Sequence, residues 1–101
     1  MASSEIMHEG GGHGGRYYAD VEGAARQAEL TWVAGDGANG DGVRRANHTF
    51  VPPEARGQGI AEKLVQALIA DAREQGFRIA PDCSYVATYF RRHPDAADLR
   101  A

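Results

Sequence analysis

Between Ile60 and Gln75 the apolar residues Ile60, Ala61, Leu64, Val65, Leu68, Ile69 and Ala72 recur every three or four positions. That spacing lays them along one stripe of a helix, with Glu62, Lys63, Gln66, Asp71, Arg73 and Glu74 outside it. Gly76 supplies the stop, because glycine enters the left-handed conformation of a helix terminus without a Cβ penalty. A single apolar stripe must be buried against a partner, and the segments on both sides read as strands. Residues 43–51 run into Pro52-Pro53, and Phe77-Arg78-Ile79-Ala80 is ended by Pro81. Strand, helix and strand at this spacing predict a parallel, right-handed crossover. The chain therefore has to build a sheet.

The rest of that sheet is sought upstream. Tyr17, Ala19 and Val21 alternate with Tyr18, Asp20 and Glu22, and Gly23 then opens a turn. Ala28, Leu30, Trp32 and Ala34 alternate with Glu29, Thr31 and Val33, which is a second strand. Residues 35–42 are a turn by composition, dense in Gly, Asp and Asn. A last helix is expected from Cys83 to Arg92, capped by Asp82 or Ser84 and closed by Pro94. The expected order is β-β-β-α-β-α: an α/β (α+β) layered domain on a mixed, mostly antiparallel sheet, with the helices packed on it. Residues 1–14, small and glycine-dense, are expected to be a flexible leader. The domain then occupies 15–95, and 96–101 form a frayed tail.

Composition narrows the function classes. With 101 residues there is room for one core. A 43% apolar and 25% charged balance is that of an ordinary globular chain, and no apolar run can span a bilayer. No secretory leader is evident, and a single cysteine excludes an intramolecular disulfide and a cysteine-rich zinc site. These observations predict a reduced, cytoplasmic domain with no membrane partner and no metal. The net charge of −3 argues against bulk nucleic acid. The doublets Arg44-Arg45 and Arg91-Arg92 read first as solvated faces. The run Gly10-Gly11-Gly12-His13-Gly14-Gly15 has no preceding strand and no following Lys-Ser or Lys-Thr pair, so it is not a P-loop.

The loop ahead of the long helix carries chemistry. In Arg56-Gly57-Gln58-Gly59-Ile60-Ala61 two glycines let the backbone approach a ligand, and the helix start presents unpaired N–H groups and a positive dipole end. That combination cradles a pyrophosphate; the structural alternative is a tight helix-entry turn. A nicotinamide-type fingerprint fits poorly, since Gly-x-Gly-x-x-Gly and an all-parallel sheet are both missing.

The same six residues match the acetyl-CoA motif of the GCN5-related N-acetyltransferases, Arg/Gln-x-x-Gly-x-Gly/Ala, at every fixed position. His48-Thr49-Phe50-Val51-Pro52-Pro53 and the stretch from Cys83-Ser84-Tyr85 through Tyr89 to Arg92-His93-Pro94 resemble the small stand-alone members. The likeness covers about residues 16–95. It implies that Thr49, Phe50 and Val51 offer backbone to a pantetheine arm. It also implies that Arg56, Gly57, Gln58, Gly59, Ile60 and Ala61 bind the pyrophosphate. The strand at 77–80 would splay away to admit the thioester, and the helix from Cys83 would flank it. Arg91 and Arg92 are expected near the CoA phosphates or in solvent-facing salt bridges. Two departures stand out. The chain lacks the length for the helices and strands that build an acceptor site in larger members, and Phe50 stands where close small relatives often carry an acid.

Acetyl transfer to an amine needs a base, a polarised carbonyl and an acid for the leaving thiolate. His48 is a base by its ordinary pKa, or a strand histidine held by a hydrogen bond. Cys83, in the first turn of the final helix, is a nucleophile favoured by the dipole, or a small buried apolar residue. Tyr89 is a candidate acid or cofactor contact, while Tyr85 is expected to pack. Trp32, Phe77 and the Leu64/Leu68 stripe are core. The reading is an acetyl-CoA-dependent N-acetyltransferase acting on an amine of a small molecule or protein. The alternative is a non-catalytic acetyl-CoA or CoA-binding module that senses or regulates. A monomer or weak homodimer is expected, the latter through an exposed edge of the final strand.

Overall fold

The computed structural model describes residues 5–35 and 42–101. Most of the expected 35–42 turn and the first four residues of the expected leader lie outside the described residues. Five strands form one sheet in the order β1-β2-β3-β4-β5, with β1 at Met7–Gly10, β2 at Gly14–Ala19, β3 at Ala28–Ala34, β4 at Val43–Phe50 and β5 at Arg78–Pro81. The first four are antiparallel neighbours, and β4 and β5 run parallel across the crossover helix α1, Ile60–Gln75. A second helix, α2, spans Ser84–Arg92. The mixed α+β architecture is the one the sequence predicts, with one strand added in front. Among the described residues no helix is long and apolar enough to cross a membrane.

The stripe on α1 does what its spacing demands. Ile60, Leu64, Val65, Leu68 and Ala72 are buried against Tyr17, Leu30, Trp32 and Ala46, and Val86 and Phe90 of α2 complete the same core. Gly76 ends α1 at φ 81, and its N–H donates to the Ala72 carbonyl at 2.8 Å. Burying a Leu side chain contributes about 1.5–3 kcal/mol, so this stripe is the largest single reason the sheet has a covered face.

Three expectations need correction. The leader over 1–14 is not wholly mobile, because Met7–Gly10 is a strand paired with β2. Its register is set by tertiary contacts that no local pattern announces. His8 stacks on Tyr17 with ring centroids 4.4 Å apart, and the Trp32 indole N–H donates to His8 Nε2 at 3.1 Å. The glycines answer close approach: a Cβ on Gly10 would sit 2.9 Å from the Gly14 carbonyl oxygen, and one on Gly15 would sit 3.0 Å from the Trp32 ring. The tail is not frayed either. Pro94–Leu99 is a run of 3-10 turns burying Ala96 and Leu99, and Arg73 reaches Asp98 at 3.2 Å. Finally, the outer edge of β5 is not open, since Ile79 pairs with Arg100 and the Ala101 N–H donates to the Ile79 carbonyl at 2.7 Å.

Arg44 departs from the solvated-doublet reading as well. Its guanidinium lies 4.0 Å from the Trp32 ring centroid and 4.1 Å from that of Phe77, and donates to the Tyr17 hydroxyl at 3.2 Å. Tyr17 in turn donates to Asp71 Oδ2 at 2.7 Å. A planar cation between two rings covers apolar surface while its edge hydrogen-bonds, which a lysine would not reproduce.

The feature that positions the site is a bulge in β4. Thr31 pairs with His48 and Trp32 with Ala46, leaving Asn47 as the extra residue, its side chain accepting from the Thr31 hydroxyl at 2.6 Å. A bulge bends its strand and increases the twist. The parallel ladder with β5 stops at Ala46↔Pro81, and the last link is the Cys83 N–H donating to the Ala46 carbonyl at 2.8 Å. Beyond it, β4 continues to Phe50 with no strand on that side among the described residues.

Candidate functional site

The wedge opened where β4 and β5 part is flanked by two pieces of chain that the sequence singled out. One is the loop before α1. Pro53–Ala55 makes a 3-10 turn, Arg56 is extended, and Gly57 and Gly59 take φ 86 and φ 77. A Cβ at either glycine would meet nothing within 4 Å, so the left-handed backbone is the reason for glycine here, with crowding playing no part. The loop is braced by the Gln58 side-chain amide, which donates to the Glu54 carbonyl at 3.2 Å.

Gly59 is the N-cap of α1 and brings no side-chain acceptor. The N–H groups of the first helical turn consequently keep no partner from within the helix. Gly59, Ile60 and Ala61 at that helix start line a cavity of about 260 Å³ together with Val51, Arg56, Gly57 and Tyr85. Glu62 borders the same cavity and acts against an anion, whereas Arg56 favours one.

The second piece is the start of α2. Cys83 is not in the first turn; it is the N-cap, with extended backbone at φ −84 and ψ 136. Its thiol lies 3.5 Å from the Thr49 hydroxyl on β4. Burial pushes the thiol pKa up, but the Thr49 hydroxyl and the backbone N–H groups of Val86, Tyr85 and Thr49 outweigh it and hold the thiol below its ordinary value. Asp82, one of the two expected caps, instead pairs with Arg45 at 3.2 Å.

The remaining sequence-predicted residues divide into two groups. Val51, Arg56, Gly57, Gly59, Ile60 and Ala61 share the cavity, and Thr49 joins Cys83. Gln58 braces the loop from outside. His48 lies on the sheet face away from the helices, about half exposed, its Nε2 4.0 Å from a Glu29 carboxylate oxygen. Phe50 is on that same face, under the guanidinium of Arg26. Tyr89 stacks on His93 at 3.9 Å between centroids and meets Phe90 edge-on, away from the loop cavity. Arg91 and Arg92 sit in the last turn of α2, where Arg91 donates to Thr88, and neither lines that cavity.

Sequence reasoning missed Tyr85 and Arg26. Tyr85, expected to pack, is 39% exposed and lines the cavity; burial and then Glu62 push its pKa up. The signal was available, because Tyr85 sits at the N-terminal end of a helix whose buried positions are Val86 and Phe90, four apart. Arg26 lies between two strands with no pattern around it, and only the β3–β4 register brings it to Phe50.

A mixed sheet split beside its crossover, with a glycine-bearing helix start on one side and a hydrogen-bonded cysteine on the other, is consistent with an acetyltransferase-type fold. The family description "GCN5-related N-acetyl-transferase" matches residues 16–99. The chain belongs to that family.

Proposed function

We propose that the protein binds acetyl-CoA and transfers its acetyl group to an amine acceptor. The observation that carries this reading is the coincidence of three features in one wedge: the end of the β4–β5 ladder, the uncapped helix start and the Cys83–Thr49 pair. In this reading the first-turn N–H groups of α1 and Arg56 take the pyrophosphate, and the edge of β4 at Thr49 and Phe50, with the following Val51, takes the pantetheine amides. The thioester then arrives beside Cys83 and Thr49.

Two routes share that geometry. In the direct route the neutral amine attacks the thioester carbon, the carbon–sulfur bond breaks, and the amine proton passes by way of His48 to solvent while the CoA thiolate is protonated. In the covalent route the Cys83 thiolate attacks the thioester carbon and CoA leaves as its thiolate, which takes a proton from solvent; the amine then attacks the acetyl carbon, its proton goes to solvent and the Cys83 thiolate is released. The lowered thiol pKa supports the second. The non-catalytic alternative is supported by Phe50, whose apolar ring stands where the resemblance implies that close small relatives often carry an acid.

Calorimetric titration with acetyl-CoA and with CoA tests the common premise on the wild type, Arg56→Ala and Gly59→Glu. Gly59→Glu adds a negative charge at the cavity and about 1–2 kcal/mol of left-handed backbone strain, so its fold is checked by circular dichroism. The expected result is wild-type binding, weakened by Arg56→Ala and abolished in a folded Gly59→Glu. No binding to either ligand would sink the proposal. Intact-mass analysis after incubation with acetyl-CoA then separates the routes, since only the covalent one yields an adduct lost in Cys83→Ala. Binding with no adduct and no turnover over a broad amine panel establishes the module reading.

A further inference from the structure

The sheet face opposite the helices carries a charge pattern that bears on the acceptor. Arg16 is matched twice, by Glu9 at 2.9 Å and Glu29 at 3.1 Å, and Arg45 is matched by Asp82. Arg26 is different. Its guanidinium lies 4.0 Å over the Phe50 ring, it is exposed, and among the described residues it has no carboxylate partner. Phe50 and His48 are two residues apart on β4 and project to the same face, about 6–7 Å apart along the strand.

From this we infer that the acceptor is a small amine that itself carries a carboxylate, held by Arg26 through that carboxylate while its amino group lies at His48. The inference rests on the acyltransferase reading above and names its substrate class. A guanidinium resting over an aromatic ring loses less freedom on binding than one in open solvent, and its N–H fork matches a carboxylate bidentately. The same unmatched positive charge repels polyamines and lysine-rich peptides, which would need a surplus of acid on this face. His48, 4.0 Å from Glu29, supplies the group that accepts the ammonium proton. The transfer balances as ammonium carboxylate plus acetyl-CoA giving N-acetyl carboxylate, CoA thiol and one proton. The new bond is nitrogen to the carbonyl carbon, and the broken one is carbon to the CoA sulfur.

The test uses matched acceptors on the full chain: γ-aminobutyrate against butylamine, β-alanine against propylamine, and spermidine. Acetyl-CoA binding is measured first by calorimetry on the wild type and Arg26→Gln, and both should bind equally. Loss of that binding in the wild type overturns the underlying reading, not the choice of acceptor. With binding intact, kcat/KM for each carboxylate amine should exceed that of its partner at least tenfold, and Arg26→Gln should collapse the ratio toward one through KM. Arg26→Lys should restore only part of it. NMR of the CoA-saturated protein gives a readout independent of turnover: γ-aminobutyrate should shift the His48 ring and Arg26 side-chain signals, and butylamine should not. Equal use of matched pairs, a preference for spermidine, an acidic peptide preferred over free amino acids, or no carboxylate-dependent shift each overturns the inference.

Discussion

At Cys83 the backbone decides the chemistry before any cofactor is considered. An N-cap residue faces the free N–H groups of its own helix, and here the side chain filling that place is a thiol. Serine or aspartate would cap better as acceptors; in the proposed covalent route cysteine trades some of that for a nucleophile. Among the causes that lower the thiol pKa, the Thr49 hydroxyl is the one side chain, so Thr49→Val removes it while keeping the shape of the residue. The expected outcome is a thiol pKa that rises and alkylation by iodoacetamide at neutral pH that slows by roughly three- to tenfold, the scale of one lost hydrogen bond. The pH dependence of alkylation measures it, and an unchanged profile would assign the lowered value to the helix terminus alone.

Among the elements, β1 is the one the sequence concealed, and the reason is physical. Met7–Gly10 is mostly exposed and carries no alternation, so its strand state depends on partners 5 to 24 residues away. By contrast α1, β3 and the Gly76 stop were legible because burial on one side imposes a period that local sequence must display. The loop at 56–61 was legible for a related reason, as positive φ at Gly57 and Gly59 demands a particular residue type. The position of Cys83 was off by one turn boundary, which propensity does not resolve. The docking of β1 also makes stability depend on pH. His8 has to be unprotonated at Nε2 to accept from Trp32, and burial, reinforced by Arg44 and opposed by Asp71 and Glu9, lowers its pKa from the ordinary 6.5. The folded chain therefore takes up this proton less readily than the unfolded one. Its contribution is full above about pH 6.5 and is lost as pH falls below that value. His8→Phe retains the stacking without the proton, so it should flatten the fall in Tm between pH 7 and pH 5 relative to wild type. Parallel thermal scans of the two chains decide this, and identical slopes would remove His8 from the account.

Both outer edges of the sheet are held, by β1 on one side and by Arg100 with Ala101 on the other, while β4 and β5 part beyond Ala46. Stability and the site are thus in tension: the β4 edge beyond Ala46 forfeits ladder hydrogen bonds that a closed sheet would make. In the proposed reading a ligand seated there would replace them and bridge β4, the start of α1 and the start of α2, of which β4 and α2 already meet through Cys83. Acetyl-CoA at about 100 times its Kd should stabilise the fold by about 2.7 kcal/mol through mass action alone. For a domain of this size each kcal/mol raises Tm by about 4–8 °C, so the expected shift is about 10–20 °C. Differential scanning fluorimetry across a concentration series of acetyl-CoA measures it, with Gly59→Glu as the chain that should not respond. CoA should shift Tm almost as far, because in this reading the pyrophosphate and pantetheine contacts lie outside the acetyl group. A shift for acetyl-CoA that CoA fails to reproduce would place most of the binding energy at the Cys83–Thr49 end of the wedge, and the loop before α1 would then be a helix entry with little part in recognition.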